Sequence, residues 1–337
     1  MYDIITFGSA AQDIHLKSKA FKVVEDKKDF MSGEGICLNL GSKIDIDDII
    51  FTSGGGGTNT AATFAKQGFK TAFYGSIGVD SAGLEIIREL KLLGIDTKFI
   101  VKNKEKHTNY SIIISSTGED RTILVYRGAS ELLRKENIKF NKLKTKWIYL
   151  APLGDLLCDS FEDIVNYAYD HNIKIAVNPS KQQLSLPKDV LKNVFQKIDI
   201  LFLNQEEASF LTKIPFEEEQ NIFKKINEIC SGIVVMTKGK DGVVASDGAY
   251  LYSASADQNK KIVDTTGAGD SFAAGFLSDY IKQEGDIEKA IQLGIANSEA
   301  NLLEIGAKTG ILNKDSEFNR VFVAKEECNE NNLCIPK

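Results

Sequence analysis

Histidine and cysteine are too few and too scattered along these 337 residues to build an obvious metal centre or a disulfide framework. The three histidines, His15, His107 and His171, lie far apart without zincin spacing, and nothing in their placement suggests histidine-based catalysis. The five cysteines, Cys37, Cys158, Cys230, Cys328 and Cys334, are odd in number and widely spread, as expected of free thiols in a reducing compartment. Cys328 and Cys334 lie close together, but a tetrahedral zinc site needs four ligands and no third or fourth stands nearby. No apolar run approaches the ~18 residues that span a bilayer. A basic leader followed by an apolar stretch is also missing, because Met1-Tyr-Asp-Ile-Ile-Thr-Phe opens directly as a strand. Strong charge of one sign is absent too. A net charge of −6 with both signs interspersed offers no attraction to nucleic acid or to an anionic membrane. The expectation is a cytoplasmic metabolic protein that partners neither nucleic acid nor membrane. Finally, no Gly-x-x-x-x-Gly-Lys-Ser/Thr loop occurs, so a nucleotide must be held by another device.

Apolar residues make up 43% of the chain, enough to bury a core the size of one large α/β domain with an insertion. Ile4-Ile-Thr-Phe-Gly8 reads as a buried strand. Residues 14–52 alternate only partly and are punctuated by Gly33, Gly35 and Gly41, as in a half-exposed antiparallel sheet. A helix is predicted over 58–67, a strand over 69–75, and an amphipathic helix over 80–93 with Leu84, Ile87, Leu90 and Leu93 on one face. Tyr110–Ile114 and Arg121–Tyr126 read as a hairpin around the turn at 116–119. From residue 146 onward strands alternate with helices: 147–150, 173–177, 200–203 and 233–237 against 158–171, 187–197 and 216–230. Repeated βα units imply a parallel sheet covered on both faces. A hairpin around Asp247-Gly248 and two long helices, 269–283 and 286–303, follow.

The expected architecture is a doubly wound, mostly parallel α/β domain of residues 1–13, 53–101 and 128–313. A small β-rich lid of residues 14–52 and 102–127 is inserted in it, and 314–337 form a peripheral tail. Ligands of open α/β sheets bind beyond the carboxyl ends of the strands, which such a lid would cover.

The segment richest in chemistry is Asp264-Thr-Thr-Gly-Ala-Gly-Asp270. Small residues at Gly267, Ala268 and Gly269 directly precede a helix. A glycine-rich turn there aims several main-chain N–H groups at one spot on the positive end of the helix dipole. That spot can hold the charge on a transferring phosphoryl group, and Asp270 beside it can take the proton of an attacking hydroxyl. An N-cap alone needs one Asp, not Gly-Ala-Gly and a second Asp six residues earlier. Gly54–Gly57 is likewise too rich in glycine for an ordinary βα turn and admits a ligand close to the backbone. Asn59 stands where a dinucleotide fingerprint has its third glycine. Its amide can bind sugar hydroxyls or cap the helix.

These two runs resemble the signatures of the ribokinase-like (PfkB) carbohydrate kinase family, in the expected order over most of residues 1–312. The resemblance implies an ATP-dependent phosphotransferase acting on a hydroxymethyl group, with Asp270 as base and Gly267, Ala268 and Gly269 as the anion hole. It implies acceptor contacts from Asp13, Gly55, Gly56 and Asn59. Asn204-Gln-Glu-Glu207 is similar to the family's Asn-x-x-Glu motif, so Asn204 and Glu207 are expected at the Mg²⁺–phosphate cluster, Glu207 through water. Asn178, Thr237, Gly239 and Gly242 are expected on the nucleotide, with Asn297 and Gly306-Ala307 on the purine side. Capping, turn and packing roles explain Asn204, Thr237 and Asn297 as well. In part of the family the residues matching Asp264 and Thr266 hold a monovalent cation, which extends the expected cofactors from ATP and Mg²⁺ to K⁺. Gly56 stands where ribokinases often carry Lys, a departure that leaves ribose unassigned as the acceptor. A sugar acceptor, a nucleoside acceptor and a non-catalytic ligand-binding protein of this fold remain open. The exposed lid edge invites a homodimer.

Overall fold

The computed structural model describes residues 1–25, 34–115, 121–257 and 262–328. Gly33, the turn at 116–119 and Cys334 lie outside them. A ten-stranded sheet forms the centre. From one edge it runs Asp96–Asn103, Thr71–Gly78, Tyr2–Phe7, Thr145–Leu150, Lys174–Val177, Ile200–Asn204 and Ile233–Thr237, all parallel. Val243–Ser246, Tyr250–Ala254 and Ala324–Glu327 then continue it antiparallel.

The parallel strands inside the sheet are mostly apolar because helices cover both faces, whereas the edge strand Asp96–Asn103 is largely polar. Successive side chains of a strand point to opposite faces, and the first strand illustrates this. Ile4 packs with Phe64, Tyr149, Phe272 and Phe276 on the face of helices Gly56–Lys66, Ala268–Lys282 and Ile287–Leu302. Ile5 belongs to the core on the opposite face, which includes Ile148, Phe161, Val194 and Phe223 and is covered by helices Phe161–Asp170, Lys188–Phe195 and Glu219–Asn227.

A second, four-stranded sheet stands over the carboxyl edge of the first, in the order Asp48–Gly54, Ala11–Lys17, Asn109–Ser115, Arg121–Tyr126. Its strands come from both β-rich insertions. It begins at Ala11, so Asp13 sits on one of its strands. Lys22–Glu25 and Glu34–Cys37 form a separate two-stranded ribbon.

Three expectations are corrected. The helix Ser81–Leu92 buries Ala82, Gly83, Ile86 and Leu90, while Leu84 is exposed. The i, i+3 row drifts off the core because the helix turns 100° per residue, which puts Leu84 and Leu93 half a turn apart. The tail is not wholly peripheral: Ala324–Glu327 adds an edge strand, and the main chain of Val321 exchanges two hydrogen bonds with the Gln292 amide. Cys37, Cys158 and Cys230 carry free thiols, but Cys328 is disulfide-bonded. Burial pushes the Cys158 thiol up to about 11 and the Cys230 thiol up to about 12, so neither is poised as a nucleophile. Among the described residues no helix is long and apolar enough to cross a membrane.

Candidate active site

The turn Gly267–Asp270 lies at the carboxyl edge of the sheet. Gly267 caps the helix Ala268–Lys282 with φ +81°, a left-handed conformation natural to glycine. A Cβ there would stand 2.5 Å from the Ala307 Cβ, so only glycine fits. Ser271 N–H donates to the Gly267 carbonyl, while the N–H groups of Gly269 and Asp270 have no backbone acceptor among the described residues. The first turn of a helix leaves such donors free for an anion. A Cβ on Gly269 would meet nothing within 4 Å, because this residue faces open space.

Asp270 receives a hydrogen bond on Oδ2 from Asn59 Nδ2 at 2.8 Å. Its other oxygen, Oδ1, lies 3.4 Å from the point a Gly56 Cβ would occupy. Asp270 keeps part of its surface open, yet protein crowds it closely. Burial raises its pKa above the ordinary value, against the bond from Asn59 and the charge of Lys308, which lower it. Asn59 is buried, and its Oδ1 has no partner among the described residues. A buried acceptor without a donor is costly unless a ligand supplies one. Capping is not the role of Asn59, because Gly55 caps its helix with φ +97°. A Gly55 Cβ would come within 2.5 Å of the Ser9 carbonyl oxygen.

Asp13 reaches the same region from the lid. A Cβ on Gly54 would lie 2.0 Å from Asp13 Oδ2, so the carboxylate rests against bare glycine backbone. Burial raises its pKa, opposed by a bond from Ser111 and by the charges of Lys308 and His15. Lys308 was not anticipated from the sequence. It is almost fully buried, donates to Ser53 Oγ at 2.6 Å and lies 3.6 Å from Glu89. Ser53 in turn donates to Glu89. Burial depresses the Lys308 pKa, while Glu89, Asp13 and Asp270 push it back up. A lysine directly after Gly306-Ala307 was the one local signal, and it reads equally as a solvated C-terminal residue.

On the other side of the turn opens a largely apolar cleft of ≈ 460 Å³. Thr237, Gly239 and Gly242 line it with Ala268 and Gly269, and Phe272, Ile295 and Leu302 supply apolar wall. Next to it, a small cavity of ≈ 70 Å³ brings together Asn178, Asn204, Glu207, Thr237 and Gly269. Asn204 and Glu207 form a reciprocal cap. Asn204 Oδ1 accepts from Glu207 N at 2.7 Å, and Glu207 Oε2 accepts from Asn204 N at 2.9 Å. Glu207 Oε1 is left over by that pairing. Burial raises the Glu207 pKa, with smaller contributions in the same direction from Glu206 and Asp270. Asn178 Nδ2 donates to the Phe202 carbonyl. Among the described residues no three His, Cys, Asp or Glu side chains cluster to hold a metal by themselves.

Two expected positions fall elsewhere. Asn297 is fully buried, donates to the Ser271 carbonyl at 2.7 Å and accepts from Leu312 N at 2.8 Å. It ties helices and loop together and does not line the apolar cleft. Gly306 and Ala307 do not line the apolar cleft either. Gly306 N–H donates to Asp264, and Ala307 packs on Gly267. Asp264 is buried and accepts from Thr266 N, Thr266 Oγ1 and Gly306 N, and it forms an ion pair with Arg121 from the lid.

The sequence matches the description "pfkB family carbohydrate kinase" over residues 34–314. It is 29% identical over 274 residues to the ribokinase of Staphylococcus aureus strain COL, covering 77% of this chain and 84% of that protein. The structure is similar to that of Arabidopsis thaliana ribokinase complexed with ribose and ATP, with a TM-score of 0.74 at 20% identity over 93% of this chain and 96% of that one. It is also similar to Methanocaldococcus jannaschii nucleoside kinase, with a TM-score of 0.73 at 23% identity over 93% of this chain and 96% of that one.

Proposed function

The chain belongs to the pfkB family of carbohydrate kinases, phosphotransferases with an alcohol group as acceptor, and from that premise we propose that it moves the γ-phosphoryl group of ATP onto a hydroxymethyl group of a sugar or sugar-like molecule, with Asp270 as general base. One observation carries the reading. Asn59 and Asp270 meet at 2.8 Å across 211 residues of chain; Asn59 Oδ1 has no partner among the described residues, and Asp270 Oδ1 lies beside the bare backbone of Gly56. An acceptor hydroxyl donating to Asp270 Oδ1, with a neighbouring hydroxyl donating to Asn59 Oδ1, would use both.

In this reading the acceptor oxygen attacks the γ-phosphorus as Asp270 takes its proton, and ADP leaves. The N–H groups of Gly269 and Asp270 stabilise charge on the transferring phosphoryl oxygens. Asp13 holds acceptor hydroxyls from the lid side, and the lid excludes water that would otherwise hydrolyse ATP. The cleft with Thr237, Gly239 and Gly242 takes the nucleotide, its apolar wall suiting a purine ring. Asn178 and Asn204 contribute amides on the phosphate side of that cleft. Asn204 and Glu207 fit a Mg²⁺ site of the water-mediated kind, since Glu207 keeps one oxygen and the ion retains most of its hydration. Mg²⁺ there would neutralise phosphate charge.

The outer lid face exposes Ile49, Phe51, Leu124 and Tyr126 together, an apolar surface suited to a second copy of the lid. The expected solution mass is that of two chains; a single-chain mass by light scattering would reject the dimer.

Measuring ADP release against a panel of sugars, sugar phosphates and nucleosides tests the function. Acceptor-dependent ADP release with a sugar is expected. Release with nucleosides alone would move the assignment to a nucleoside kinase, and none with any acceptor would reject catalysis.

A further inference from the structure

The turn that opens the late helix already carries a cation, and it comes from the lid. Asp264 Oδ1 accepts from Thr266 N at 3.0 Å, from Thr266 Oγ1 at 2.7 Å and from Arg121 Nη1 at 3.2 Å. Asp264 Oδ2 accepts from Gly306 N at 3.0 Å. The second arm of the guanidinium, Nη2, donates to Thr265 Oγ1. Arg121 is the first residue of the lid strand Arg121–Tyr126 and reaches across 143 residues of chain to this carboxylate. Only 7% of the Asp264 side chain is exposed, against 27% for Arg121, so the pair is largely shielded from solvent screening.

A monovalent ion at Asp264 needs a carboxylate oxygen with a free face and a negative charge to attract it. Here Oδ1 already accepts three hydrogen bonds, Oδ2 accepts one from Gly306 N, and the guanidinium offsets the charge that would draw an ion to the oxygen less engaged. A second cation beside the first would be repelled at close range. The residues present therefore do not fit a monovalent ion at Asp264 and Thr266. The ionisation of Asp264 agrees: burial pushes its pKa up, but the bonds from Thr266 and Gly306 and the Arg121 charge outweigh this and hold it below the usual value.

We propose that Arg121 is a positioning residue that does for the Asp264–Gly269 turn what a bound monovalent cation would otherwise do, so that turnover is indifferent to K⁺. The inference rests on the kinase function proposed above. Its physical basis is the charge of Asp264, which bonds to the loop that leads into the anion-binding helix. Left unbalanced, that charge opposes the build-up of negative charge on the phosphoryl group. A guanidinium bound through two arms both neutralises it and fixes Thr265. Being part of the chain, it has no dissociation equilibrium with the solvent.

The test compares wild type, Arg121→Ala and Arg121→Lys in chlorides of K⁺, Na⁺ and tetramethylammonium at equal ionic strength, reading melting temperature and ADP formation. Wild type is expected to give the same melting temperature and the same turnover in all three salts. Arg121→Ala is expected to lose about tenfold or more in turnover and to recover a large part of it with K⁺ or with dilute guanidinium, a rescue that a purely structural role would not produce. Its melting temperature should rise with K⁺ but not with tetramethylammonium. Arg121→Lys, which keeps the charge, should remain indifferent to K⁺. The proposal is overturned if K⁺ activates or stabilises wild type or Arg121→Lys. It is equally overturned if a folded Arg121→Ala keeps wild-type turnover, or is rescued by neither cation. Should no acceptor give turnover at all, the kinase assignment fails, while the melting series still decides the cation. Should Arg121→Ala not fold, the wild-type and Arg121→Lys salt series decide it alone.

Discussion

Asn59 Nδ2 donates to Asp270 Oδ2 at 2.8 Å, and this bond joins the first turn of an early helix to the first turn of a late one. Two glycine-rich turns therefore face each other across the carboxyl edge of the sheet. Each supplies one polar side chain, and neither turn alone forms a site.

The pH profile should report this pair. A base must be ionised to act, so turnover falls as pH drops through the folded-state pKa of Asp270. That pKa lies above the ordinary 3.8 because burial raises it. Asn59 and Lys308 both act to lower it. Asn59→Ala and Lys308→Met should accordingly move the acid limb of kcat/KM to higher pH. Limbs that stay in place in both variants would argue against Asp270 as the titrating base.

Gly269 separates stability from function. It sits in the first turn of the helix, and an added Cβ would meet no neighbour within 4 Å. Gly269→Ala should melt at or slightly above the wild-type temperature, since alanine is the better helix former by roughly 1 kcal/mol. Its methyl would project into the space assigned to the phosphoryl group, so turnover should drop by about tenfold or more. Unchanged turnover in this variant would remove the anion-hole assignment.

Glu207→Gln is expected to leave the helix start intact, because glutamine can still accept from Asn204 N with its side-chain oxygen. Loss of the free anionic oxygen should raise the Mg²⁺ concentration needed for half-maximal rate by several-fold. A Mg²⁺ dependence identical to wild type would leave Glu207 with its capping role alone.

Local patterning made much of the sheet legible, because Thr71–Gly78, Thr145–Leu150, Lys174–Val177 and Ile200–Asn204 are each followed by a helix. The Gly267–Asp270 turn was legible for a similar reason: positive φ, close approach and a free helix end all demand glycine within a few residues. Lys308 and Arg121 were not. Their roles depend on Ser53 and Glu89 in one case and on Asp264 in the other, partners distant in sequence that only tertiary folding brings near. Asn297 misled for the opposite reason. The family resemblance implied a purine-side contact, with core packing the alternative, and here Asn297 satisfies the Ser271 carbonyl and Leu312 N–H inside the core. The strand Ala324–Glu327 was hidden because it is short, polar and at a sheet edge, where burial imposes no alternation.

The turnover of Asp270→Asn on the best acceptor, with acceptor affinity measured in parallel by calorimetry, tests the central claim most directly. Loss of a general base predicts a fall of about 10²–10⁴ in kcat with a much smaller change in acceptor Kd. A variant that binds the acceptor and still turns over at close to the wild-type rate would contradict the account.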